Sequence, residues 1–98
     1  MSQHVFRTTD RVGQLVTVTL GYDRPLDYVF CTVFRGGEED SPLYTNLDDE
    51  DAGTHLQEVS YYRSVLEGLG IDVPETMFAE VESDQANVVG NRFVDHTK

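Results

Sequence analysis

Tyr28-Val29-Phe30-Cys31-Thr32-Val33-Phe34 is an uninterrupted apolar run of β-branched and aromatic side chains with no charge, glycine or proline. A run this short reads as a strand. Because it is apolar on both faces, the expected place is central, with one face on the core and the other partly covered. Upstream, Leu15 to Leu20 alternates, with Val16, Val18 and Leu20 on one face and Leu15, Thr17 and Thr19 on the other. Gly21-Tyr22-Asp23-Arg24-Pro25 between these segments reads as a connection, since glycine and proline both break the pattern. Val5-Phe6-Arg7 forms a first strand, and Thr8 to Gly13 a hairpin turn in which Gly13 takes a positive φ.

Downstream, Gly36-Gly37-Glu38-Glu39-Asp40-Ser41-Pro42 has the composition of a loop. Leu43 to Leu47 alternates as a short strand with both leucines inward, and Asp48 to Asp51 followed by Gly53 makes a second acidic loop. The first half is therefore expected to be an antiparallel meander of about four strands.

The period then changes. Tyr62, Val65, Leu66 and Leu69 form one helical stripe. Two starts compete for this helix, a Thr54–Gln57 capping box and a cap at Ser60, and the shorter version keeps Glu58 off the apolar stripe. Gly70 ends the helix in a left-handed conformation, and Ile71 folds back onto it. Pro74 opens a second helix with Glu75 at its positive end. Met77, Phe78, Val81 and Val88 are expected on its apolar stripe, and Glu80, Glu82 and Asp84 on its sides and back. Gly90-Asn91 stops it, and Arg92 to His96 supplies a last short strand. The fold class is α+β, a small antiparallel sheet with two helices packed on one face, in a single domain spanning 1–98.

The 98 residues include 18 acidic and 7 basic side chains, a formal charge of −11. Leu, Ile, Val and Phe number 27, enough for a folded domain rather than a disordered one. So negative a surface repels DNA, RNA and anionic bilayers, so direct nucleic-acid or membrane binding is not expected. No stretch approaches the roughly 18 apolar residues of a membrane helix, and the N-terminal residues lack the pattern of a signal peptide. The single cysteine, Cys31, forms no internal disulfide and reads as a small buried hydrophobe, which suits a reducing, cytoplasmic location.

Local motifs for chemistry are missing. His4, His55 and His96 show no i+3 or i+4 pairing, so no metal site is read from spacing, although distant segments can assemble one. Counted from Asp48 as a calcium loop, Gly53 falls correctly at position six but Val59 occupies position twelve, where a bidentate glutamate belongs. No serine sits in a nucleophile elbow, and Gly36-Gly37 leads into acid rather than into a phosphate cradle. The expectation is a protein without catalytic residues, cofactor or metal.

The distinctive feature is the distribution of charge. No lysine or arginine occurs between Arg35 and Arg63, where Glu38, Glu39, Asp40, Asp48, Asp49, Glu50, Asp51 and Glu58 all fall. Carboxylates spread over a surface imitate a phosphate backbone and attract a cationic partner. In size and acidity the chain is similar to DNA-mimic and anti-CRISPR proteins, a resemblance of composition. The expected function is a non-enzymatic interaction module occupying a Lys/Arg-rich surface of a nucleic-acid-binding protein. Glu38, Glu39, Asp40, Asp48, Asp49, Glu50 and Asp51 would meet that partner, and Tyr44 and Tyr61 would serve as rim or anchor contacts. The alternative is a small-ligand or housekeeping domain with a pocket between sheet and helices. Val5–Arg7, read as an edge strand, offers a route to a homodimer.

Overall fold

Strands β1 (Ser2–Thr9), β2 (Leu15–Asp23), β3 (Tyr28–Arg35), β4 (Glu38–Thr45) and β5 (Arg92–Asp95) form one sheet in the order β4-β3-β2-β1-β5. The computed structural model describes residues 2–35, 38–54 and 58–97, with backbone alone at 38–41 and 54. The first four strands are the expected antiparallel meander, and β5 adds parallel to β1. A parallel pair needs a crossover, which here contains helices α1 (Val59–Gly68) and α2 (Glu75–Ala86). Two short 3-10 turns, Asn46–Asp48 and Glu50–Thr54, link β4 to α1. No helix among the described residues is long and apolar enough to cross a membrane.

Alternation sets the core. Val16, Val18, Leu20 and Tyr22 of β2, with Val29, Cys31 and Val33 of β3, are buried against one hydrophobic cluster. Val59, Tyr62 and Leu66 of α1, Met77, Phe78 and Val81 of α2, and Ala52 and Ile71 from the connections complete it. The opposite parity of β3, including Phe30 and Phe34, is half-buried, as its two-sided apolar character implies.

Several boundaries differ from the sequence reading. Gly21 lies inside β2, where it is needed: an added Cβ would come within 2.1 Å of the Ser2 carbonyl oxygen and 2.7 Å of the Phe30 ring. Residues 38–42 extend β4 rather than form a loop, and the pairing with β3 shifts register beside Pro42, as an edge strand tolerates. Leu47 therefore falls in a 3-10 turn, 79% exposed instead of inward. Val5–Arg7 is not an edge, since β1 is paired on both sides; the edges are β4 and β5. Glu58 occupies the N-cap of α1 without a side-chain capping bond, so neither Ser60 nor Thr54 caps it. Gln57 of the capping box lies outside the described residues, as do Gly36 and Gly37.

Both helices end in the same Schellman geometry. After α1 the Ile71 N–H reaches the Leu66 carbonyl at 3.0 Å and the Gly70 N–H reaches Glu67 at 3.1 Å, with Gly70 at φ +76°. After α2 the Val89 N–H reaches Asp84 at 2.9 Å and the Val88 N–H reaches Gln85 at 3.2 Å. Here the left-handed position, φ +50°, falls on Val88. It is 51% exposed and off the apolar stripe, because the helix closes before reaching it. A β-branched residue is strained there. Replacing Val88 by glycine is expected to stabilise the chain by about 1 kcal/mol. Gly21→Ala should destabilise it by about 1–3 kcal/mol through overpacking. Urea midpoints at constant m-value test both.

Candidate functional site

In a strand, alternate residues share a face, so Ser2, His4 and Phe6 of β1 project toward the helices. The parallel pairing places Arg92 beside Ser2 and Val94 beside His4. His96 continues that alternation just past β5, held by its own N–H to the Val5 carbonyl at 2.7 Å. On α2, Glu80 and Asp84 are four residues apart and so lie on one face. Strand period and helix period together bring six polar side chains, those of Ser2, His4, Glu80, Asp84, Arg92 and His96, to one point between β1, β5 and α2.

His4 is fully buried, and its Nε2 lies 2.6 Å from Oδ2 of Asp84, which is itself 1% exposed. Arg92 donates to Asp84 Oδ1 at 2.7 Å and to Glu80 Oε1 at 2.8 Å. The other His4 nitrogen, Nδ1, is 2.9 Å from Nε2 of His96. The ring centroids are 5.1 Å apart with planes inclined at 29°, so the imidazoles meet nitrogen to nitrogen rather than face to face. Nε2 of His96 is also 3.6 Å from Glu80 Oε2.

Protonation follows from these contacts. Burial pushes the Asp84 carboxyl up, but hydrogen bonds from His4, Arg92 and Ser2 outweigh it and hold the group below the ordinary carboxylate value. Ionised Asp84 is acceptor-only, so His4 carries its proton on Nε2. In neutral His4 the Nδ1 lone pair then faces His96. Burial lowers the His96 pKa against the opposing pull of Glu80. Both imidazoles can therefore present lone pairs, and His4, Glu80 and His96 offer three metal-ligand atoms lying within 4.8 Å of one another.

The cluster is reachable from outside. Glu80 and His96 line a cleft of about 700 Å³, together with Phe6, Arg7, Pro74 and Thr76. Its walls mix an aromatic ring and a proline with cationic, hydroxyl and carboxylate groups, the character of a small-ligand cleft.

The residues singled out for their charge lie elsewhere. Glu38, Glu39 and Asp40 sit on the edge strand β4, their side chains outside those described. Asp48, Glu50 and Asp51 are exposed in the turns that follow. Asp49 is different. Its Oδ2 accepts from the Tyr61 hydroxyl at 2.6 Å and the Tyr44 hydroxyl at 2.7 Å, and its Oδ1 accepts the Asp51 N–H at 3.1 Å. Those tyrosine bonds hold the Asp49 carboxyl below its usual range. In return the Asp49 bond pushes Tyr61 up to about 12, while burial and then Asp49 raise Tyr44. The two tyrosines thus fasten the acidic turn to β4 and α1, and the Tyr61 hydroxyl is bonded to Asp49.

The chain matches no protein-family model, no curated protein and no solved structure.

Sequence spacing gave no sign of the histidine pair, because His4 and His96 are brought together by a parallel strand pairing that no local motif encodes. One signal was present. Asp84 falls seven residues after Met77 and three after Val81, on the apolar stripe itself rather than on the sides or back of the helix. A carboxylate there must find a buried partner. His55 lies outside the described residues.

Asp84→Ala leaves the buried His4 ring without its acceptor and should cost about 2–4 kcal/mol in denaturant unfolding. The pH dependence has a definite sign. Folding favours the neutral His96 ring, so that contribution is intact above the ordinary histidine value of 6.5 and is lost as pH falls below it. The depressed Asp84 carboxyl contributes above its ordinary 3.8 and loses that contribution at lower pH. Urea midpoints recorded from pH 7.5 to 5 should fall for the native chain and flatten in His96→Gln.

Proposed function

We propose that the protein is an acidic interaction module that occupies a Lys/Arg-rich surface of a nucleic-acid-binding partner, without chemistry of its own at that contact. The observation that carries this reading is a run of carboxylates with no lysine or arginine among them along the β4 edge and the turns after it. Arg7 pairs with Asp95, and Arg92 pairs with Glu80 and Asp84, beside the β5 edge. Residues 38–45 form the opposite edge and residues 46–51 the turns that follow it, and none of them is a lysine or arginine. Four strand spacings of about 4.8 Å set the edges about 19 Å apart. That is roughly two Debye lengths at physiological salt, too far for those arginines to neutralise the β4 side. Arg35, in register with Glu38, is the cation at the turn end of that edge.

The edge also supplies shape. β4 ends the sheet, and Tyr44 and Tyr61 brace Asp49 so that Asp48, Glu50 and Asp51 are held on a fixed scaffold. Preorganised carboxylates bind guanidinium groups with less loss of entropy than a flexible tail would. The tyrosines act in this reading as supports of the acidic turn as well as rim contacts. Cys31, buried and with its thiol pushed up to about 12 by burial, is chemically inert and accords with a cytoplasmic setting. The 700 Å³ cleft favours the second reading, a small-ligand domain whose acidic surface is incidental.

The test reverses Asp48, Glu50 and Asp51 to lysine and leaves the structural Asp49 intact. A partner recovered by affinity capture at low salt should bind the variant at least tenfold more weakly. It should also leave the native chain as salt is raised from about 50 to 500 mM, and be displaced by nucleic acid. A partner that binds both chains equally in high salt overturns the reading.

A further inference from the structure

We propose that His4, His96 and Glu80 form a site for one divalent first-row transition ion of zinc's ligand preference, at the inner wall of the cleft between α2 and the β1–β5 pair. Each of the three residues offers a ligand atom within 4.8 Å of the other two, and the nitrogen and oxygen atoms that meet are Nδ1 of His4, Nε2 of His96 and Oε2 of Glu80. At metal–ligand lengths of about 2.0–2.1 Å, tetrahedral donors stand about 3.3 Å apart. The two separations in the structure, 2.9 Å between the imidazole nitrogens and 3.6 Å from His96 to Glu80, fall on either side of that value. Admitting the ion requires the histidines to part by a few tenths of an ångström and Glu80 to swing inward. Glu80 and His96 line the cleft, the Glu80 side chain 36% exposed and the His96 side chain 8%, while His4 is fully buried.

What distinguishes this triad from a chance gathering is the support behind it. A metal-bound imidazole characteristically donates its second N–H to a carboxylate, which fixes the tautomer and aims the ligating nitrogen. His4 does so to Asp84 at 2.6 Å, and Asp84 is braced in turn by Arg92 at 2.7 Å. With Nε2–H engaged, Nδ1 of His4 is already the lone-pair nitrogen. His96 needs only a change of tautomer, its proton passing through solvent from Nε2 to Nδ1 with no net release. Two carboxylates, Asp84 and Glu80, face a single guanidinium, that of Arg92, a balance that favours a cation. Two imidazoles and one carboxylate suit zinc or cobalt over calcium or magnesium, and three protein ligands leave a coordination position for water or a small ligand in the cleft.

The experiment titrates Zn²⁺, and Co²⁺ as a coloured reporter, into the purified full chain. One ion per chain is expected, with the visible absorption of four-coordinate cobalt. His4→Ala removes a buried ring and risks the fold, so the decisive variants are His96→Ala and Glu80→Gln at the cleft, with circular dichroism confirming that each is folded. Each should weaken Zn²⁺ binding tenfold or more. The triple change Asp48→Asn, Glu50→Gln, Asp51→Asn should leave affinity and cobalt spectrum unchanged. Failure of the folded native chain to bind a stoichiometric ion overturns the proposal. So does binding insensitive to His96→Ala, or binding lost with the acidic-turn changes, which would assign the ion to the surface carboxylates.

Discussion

The hydrogen bond between His4 and Asp84 is the contact on which the cluster side of the molecule is built. It joins the first strand to the last helix through two groups almost removed from solvent. Neither could stand there alone, because an ionised carboxylate without partners in an apolar setting is too costly to bury. Arg92 completes the charge balance from the fifth strand, and so ties β5 to the same point. The docking of β1, α2 and β5 is thus specified by a short chain of charge-assisted bonds as well as by apolar packing.

That chain also leaves the molecule electrostatically lopsided. Arg7 and Arg92 are engaged in pairs near β5, and Arg63 is engaged with Glu75 between the helices. The β4 side and its turns retain a run of carboxylates far from those cations. Charged edge strands discourage sheet-to-sheet aggregation, so the same carboxylates protect the open edge while offering a surface to a basic partner. The cleft at the other edge is different in kind, with imidazole, guanidinium and aromatic groups close together.

Much of the architecture was legible. The apolar run at 28–34 read as a central strand, the alternation at 15–20 divided its residues into the two faces the structure has, and Gly70 marked a helix end that the structure closes as expected. What escaped were features set by packing rather than pattern. Gly21 reads as a break but serves a close approach between strands, and Val88 takes a left-handed position that sequence preference assigns to glycine. Glu38 to Asp40 look like a loop because acidic residues seldom favour strands, yet an edge strand tolerates them. The acidic surface could be listed from composition, but Asp49 could not be separated from its neighbours without seeing two tyrosines converge on it. The histidine cluster was invisible to spacing, since its members lie at opposite ends of the chain.

That last separation has a consequence for biogenesis. His4 and His96 are 92 positions apart, and the strand carrying the second of them zips onto the first strand of the sheet. Nothing emerging from the ribosome can close this contact until residue 96 has cleared the exit tunnel, although the meander can begin to collapse much earlier. The histidine pair is therefore a late-forming latch, and a nascent chain halted or clipped short of it would keep Asp84 and His4 without the brace that β5 provides.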